Sequence, residues 1–170
     1  FNLVRREDVG TPEQCFEKPL VGLVVQGTKH SLMGGREFVY TENQCIVAGI
    51  DMPISSYVIN PTHETPFLFL YLYLDRHLLS SLTLEMKHNF PETSEDCTSV
   101  SIADAGSDIL EMFLRLVDLL EKPEQISIRA PMMLRELHYL LLISPHGNIL
   151  RQLNTPGTQN NQVAQAITWI

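Results

Sequence analysis

The sequence predicts an α+β chain: an antiparallel β-sandwich or barrel followed by a helical half. Three observations carry this. Short apolar runs separated by turn residues recur about every ten residues as far as Asp75. A Gly34-Gly35 pair, free to take the positive φ angles of a type I′ turn, sits between two of them. Beyond Asp75 the apolar residues change to helical spacing.

Composition narrows the class. A chain of 170 residues, 44% of them apolar, can bury a core without staples. The three cysteines, Cys15, Cys45 and Cys97, are widely spaced and odd in number, so neither a disulfide framework nor a zinc site is expected. That usage fits a reducing cytoplasm. No apolar run approaches the ~20 residues of a membrane span, and Phe1 to Arg6 lack a signal-peptide core. A net charge of -8 opposes a phosphate backbone, so this segment alone is not expected to bind nucleic acid.

Residues 1–19 are charged, with Pro12 and Pro19 as punctuation, and read as an irregular arm outside the core. Leu20 to Gln26, bounded by Pro19 and Gly27, has the length of a buried strand. On simple alternation Gln26 shares a face with Leu20, Gly22 and Val24, which puts an amide at the end of an apolar surface. His30 to Met33 and Arg36 to Tyr40 form a hairpin, with Met33 opposite Arg36, Leu32 opposite Glu37, Ser31 opposite Phe38 and Lys29 opposite Tyr40. Thr41 to Gln44 turns the chain and Cys45 to Ile50 forms a strand. Asp51-Met52-Pro53 breaks it, and Ile54 to Ile59 resumes. Phe67 to Asp75 follows Pro66, with Phe67, Phe69, Tyr71 and Tyr73 alternating with Leu68, Leu70, Leu72 and Leu74. Neither face is polar. Such a strand needs sheet on one side and sheet or helix on the other.

Everything after this strand reads as helix. Asp75 is a suitable N-cap for a helix to about Met86, buried through Leu78, Leu79 and Leu82. Residues 87–98 read as a solvated connection. Ser107 or Asp108 caps a helix ending near Glu121, whose apolar positions cover an arc of ~220°. The surplus suggests a second buried surface. If Ile109, Phe113, Leu116 and Leu120 face inward, then Leu110, Leu114 and Val117 remain for a partner. The next helix is expected to start at Pro131 and run to Ile143, apolar nearly all round and so buried on most sides. A short turn covers Ile149 to Leu153, and a polar linker leads to a last helix. There Val163, Ala166, Ile167 and Ile170 share a face while Trp169 lies off it, so a further domain is expected to cover Trp169.

Catalytic motifs are absent. Of the six histidines none forms the His-x-His pair that barrel metalloenzymes use, and His30 with His63 could converge only by accident of register. There is no Gly-x-Ser-x-Gly elbow and no phosphate loop, and Cys45 in its apolar strand reads as an inert thiol. No catalytic residue, metal or cofactor is expected. Any ligand is expected inside the barrel. Gln26 and Tyr57 are candidate polar anchors, with Phe38, Tyr40, Phe69 and Tyr71 as aromatic wall, being polar or aromatic members of apolar strands.

Several blocks resemble a family. Pro19-Leu-Val-Gly-Leu-Val-Val-Gln-Gly-Thr-Lys29, the Gly-Gly hairpin with Tyr40, Asp51-Met-Pro53 and Pro66 through Asp75 are similar to successive blocks of the N-terminal domain of AraC-type transcriptional regulators. Arg135-Glu-Leu-His-Tyr-Leu-Leu-Leu, His146-Gly147 and Leu150-Arg-Gln-Leu153 resemble the blocks that follow, and Gln162 to Ile170 resembles the lead-in to a helix-turn-helix domain. The resemblance implies a cupin-like jelly-roll barrel that senses a small-molecule effector, followed by a helical dimerisation segment that makes a homodimer. It implies DNA binding only through a C-terminal domain absent from these residues. The corresponding division is 1–98 for the barrel and one helix, 99–155 for dimerisation, and 156–170 for the linker and start of the missing domain. The alternatives are a cupin-fold enzyme acting on a small polar substrate and a dimerisation module with a filled barrel.

Overall fold

The computed structural model describes residues 1–86, 99–155, 161, 162 and 166. Among the described residues nine strands precede or interleave with four helices: β1 (Asn2–Arg6), β2 (Glu13–Glu17), β3 (Leu20–Gln26), β4 (Thr28–Met33), β5 (Arg36–Thr41), β6 (Gln44–Ala48), β7 (Met52–Ile59), β8 (Phe67–Tyr73), α1 (Arg76–Glu85), β9 (Val100–Asp104), α2 (Gly106–Asp118), α3 (Pro123–Ile143) and α4 (Gly147–Asn154). They form two antiparallel sheets, β1-β8-β3-β6-β9 and β2-β7-β4-β5, packed as a jelly-roll-like sandwich. The helices cover the outer face of the five-stranded sheet.

This makes three layers with two cores. Between the sheets lie Val24, Met33, Tyr40, Ile46, Met52, Val58, Phe67, Phe69 and Val100. Between the five-stranded sheet and the helices lie Val21, Leu23, Cys45, Val47, Leu72 and Leu74 with the buried stripes of α1 to α4. The doubly apolar β8 is placed as its alternation requires, aromatics toward the other sheet and leucines toward the helices. Gly22 faces the aromatic side; a Cβ there would stand 2.0 Å from Cζ of Phe69, so its missing side chain makes room for the ring.

The Gly-Gly hairpin has the expected register at all four pairs, with Gly34 and Gly35 at φ 55° and 77°. Asp75 caps α1, its carboxylate accepting from the Leu78 amide at 3.0 Å. Other expectations are corrected. The supposed arm supplies an edge strand to each sheet, β1 on β8 and β2 on β7; charged residues suit edges, and the partners lie far along the chain. Asp51-Met52-Pro53 does not separate two strands as a unit, because β7 already starts at Met52 and Pro53 pairs with Phe16 beside the edge strand. Strand also follows β8, since β9 returns to pair with β6.

The helices differ too. Neither Ser107 nor Asp108 caps α2; the N-cap is Ala105, with no side-chain hydrogen bond. Leu119–Glu121 tightens into a 3₁₀ turn, which advances the phase of the helix and buries Leu119 in place of the expected Leu120, 57% exposed. Pro123 rather than Pro131 opens α3, leaving Pro131 inside the helix, so residues 124–130 are helical as well. Nor is α3 buried on most sides, for Ile128, Met132, Tyr139 and Ile143 are exposed along one face. The expectation for residues 87–98 and that for Trp169 lie outside the described residues.

Candidate functional site

A cavity of about 250 Å³ between the sheets could hold a molecule. Its apolar wall comes from β8 and β3, with Phe67, Phe69, Tyr71 and Leu20, and from Val4 on β1 and Val58 on β7. Arg6, Glu13, Glu17, Lys29 and Ser56 add polar groups, and Asp8 to Thr11, in the exposed loop joining β1 to β2, border it. The position follows from the topology: β1 and β2 are the edge strands of opposite sheets, and the loop between them crosses the open side of the sandwich.

Arg6 pairs with Glu13 across the two sheets. Burial, with Glu17 and Tyr71 nearby, pushes the Tyr73 phenol up to about 12. Lys29, whose neighbours across the strands are Val58 and Tyr40, is mostly buried, with its ammonium 5.4 Å from the centre of the Phe69 ring. Burial pushes its pKa down, against the weaker pull of Glu17 and Glu13.

Of the six candidate ligand residues, the cavity gathers Phe69 and Tyr71 on its wall. Tyr57 borders it, but the ring stacks on His30 at 4.8 Å on the outward side of β7. Tyr40 and Phe38 belong to the inter-sheet core, where the Tyr40 hydroxyl meets the Ser31 hydroxyl at 2.9 Å and burial pushes its pKa up to about 12. Gln26 is turned away. A bulge between Val24 and Gln26 shifts the pairing so that Gln26 opposes Leu68, and its amide donates to the Pro66 carbonyl at 2.7 Å. Sequence reasoning passed over Val4, Arg6, Glu13 and Glu17, which lie in the supposed arm, and Lys29. For Lys29 a signal existed, because alternation with Ser31 and Met33 places all three on one face.

Among the described residues no group of three His, Cys, Asp or Glu could hold a metal ion. His30 and His63 are separately engaged, His63 bonding Glu7 at 2.7 Å. Cys45 is buried in its strand, which pushes its thiol up to about 12.

Of the proposed partner-facing residues on α2, Leu114 is 60% exposed, while Leu110 and Val117 are partly covered. On α3 the exposed Ile128, Met132, Tyr139 and Ile143 fall within ~60° of one another at ~100° per residue. An Arg115 to Glu136 ion pair ties α2 to α3. No helix among the described residues is long and apolar enough to cross a membrane.

A family model described as AraC-type transcriptional regulator N-terminus matches residues 1–149. No curated protein matches the chain. Among solved structures, unsaturated fatty acid-bound ToxT from Vibrio cholerae superposes with a TM-score of 0.53 at 7% identity, covering 95% of this chain and 55% of that one. ToxT from Vibrio cholerae bound to (E)-4-(8-methylnaphthalen-1-yl)but-3-enoic acid gives 0.52 at 6% identity, covering 69% of this chain and 46% of that one. At such identity the likeness is one of fold. The chain spans about half the length of these ToxT chains.

Proposed function

The chain belongs to the AraC-type transcriptional regulator N-terminus family, and from that premise we propose that it is the effector-sensing and dimerisation part of such a regulator. The observation that carries the sensing role is the cavity between the sheets, apolar and aromatic on one side with a few polar groups on the other, the make-up of a small-molecule site. Two helical surfaces support dimerisation: Leu110, Leu114 and Val117 on α2, and the exposed stripe of α3. DNA contact belongs to a further C-terminal domain, in keeping with the acidic charge of this segment. Free thiols at Cys15 and Cys45 suit the cytoplasm.

The effector acts by binding one arrangement of the paired chains more tightly than the other. An open cavity of about 250 Å³ disfavours a filled barrel, and family membership disfavours an enzyme. The test is a thermal-shift screen of metabolites against the native chain and Val4→Trp, in which the indole occupies the cavity from an edge strand. Compounds that raise Tm of the native chain and not of the variant are expected. Hits that stabilise both equally would contradict the reading.

A further inference from the structure

We infer that the edge strand β1 takes part in the contact between two copies of this chain, the α2 helix of the second copy lying on a shelf made by Phe1 and Leu3 beside Leu110, Leu114 and Val117 of α2. This deepens the dimer reading and rests on it.

The shelf follows from the alternation along β1. Val4 and Arg6 face the cavity, so Phe1, Leu3 and Arg5 face the helical side of the five-stranded sheet. On that side Leu3 pairs with Leu70, and the row continues through Leu23 to Cys45. The helices cover the row unevenly: Leu23 and Cys45 belong to the helical core and Leu70 packs against it, but Leu3 is 64% exposed. Helix α2 borders the uncovered end, where the Phe1 ring lies 6.4 Å from that of the buried Phe113.

The apolar flank of α2 faces the same way. On a wheel of ~100° per residue counted from the buried Ile109, Phe113 falls at ~40°, Val117 at ~80°, Leu110 at ~100° and Leu114 at ~140°, whereas Arg115, paired with Glu136 of α3, falls at ~240°. Val117, Leu110 and Leu114 therefore extend beyond Phe113 on the flank that β1 borders. The exposed Phe1, Leu3 and Leu114 thus belong to one apolar surface and are not scattered singly.

The make-up of this surface selects its occupant. Its middle is apolar, and charge enters at the end of the β1 row, where Arg5 is paired with Glu7 at 2.7 Å. That is the arrangement of an interface core with a polar rim. The proposed dimer contact already begins on α2, yet Leu114 with the part-covered Leu110 and Val117 falls far short of the roughly 800 Å² per partner of a stable interface. The shelf extends the same contact without a break. A twofold axis passing close to Leu114 sets two α2 helices side by side, and the open trough beside that flank, floored by Leu3, receives the second.

The experiment is sedimentation equilibrium of the native chain, Leu3→Glu and Leu114→Glu, with circular dichroism on each. Leu3→Glu should raise the dimer dissociation constant about tenfold or more, as a charge set into an apolar contact, and leave the dichroism unchanged. If Leu3→Glu does not fold, Leu3→Ser carries the same comparison. A second readout locates the partner: Leu3→Cys chains mixed with Leu114→Cys chains, both carrying Cys15→Ser, should be joined between positions 3 and 114 by a short bismaleimide, as read by peptide mass spectrometry. A native dissociation constant in Leu3→Glu alongside a dissociated Leu114→Glu, or cross-links between two positions 114 and none to position 3, would overturn the place of β1 while leaving the dimer reading. A native chain that sediments as a monomer, or a dimer that neither variant weakens, would overturn both.

Discussion

His138 and His146 show how single residues tie the sandwich to its helices. His138 is buried on α3; its Nδ1 donates to the Leu134 carbonyl at 2.7 Å and its Nε2 accepts from the Asp75 amide at 3.0 Å. Those partners fix the neutral tautomer and pin α3 to the end of β8. His146, wholly buried before α4, meets the Ser101 hydroxyl of β9 at 2.9 Å through Nδ1, and its Nε2 has no partner. Burial pushes its pKa from the ordinary 6.5 down to about 4, and pushes that of His138 down as well. The folded state thus binds fewer protons than the unfolded chain between these values, so stability is complete above pH 6.5 and declines as pH falls toward 4. For His146 the loss is roughly 3 kcal/mol. Urea denaturation at pH 7 and pH 4.5 should show it, and His146→Phe should have the shallower dependence; an identical dependence in the variant would contradict the assignment.

At the scale of elements, legibility depended on how local the determinants are. The β4-β5 register could be read because Gly34-Gly35 fixes it within a few residues. The hidden features depend on distant partners. β1 and β2 carry few apolar residues, and their strand character comes from β8 and β7. Gln26 was misplaced because a bulge restarts the alternation, which apolar spacing cannot reveal. Pro131 was mistaken for a helix start because Pro123, eight residues earlier, fills that role in a less apolar stretch. As a result the exposed face of α3 was not foreseen, although Leu114 on α2 was. Both belong to the dimer surface proposed here. Leu114→Glu and Met132→Glu, each at an exposed position, should move the sedimentation coefficient from dimer to monomer while circular dichroism stays unchanged. Loss of the fold in either variant would place that residue in the core.

At the scale of the molecule, the five-stranded sheet is shared between the cavity and the helices. β8 embodies this, with Phe69 and Tyr71 on the cavity, Leu72 and Leu74 in the helical core, and Asp75 bonded to His138 of α3. A ligand that repositions the aromatic side of β8 acts on the element that seats α1 and α3, which offers a physical route from occupancy to the helical surfaces. The sequence revealed the two apolar faces of β8 and therefore the layered plan. It did not reveal the cavity, whose polar side is built from both edge strands. The most direct measurement is a crystal structure of the chain with a compound that stabilises it in the screen. The account predicts ligand density between β1 and β8 on one side and β2 and β7 on the other, in contact with Phe69 and Tyr71. Density on the helices or on the outward face beside His30 and Tyr57, with the cavity empty, would contradict it.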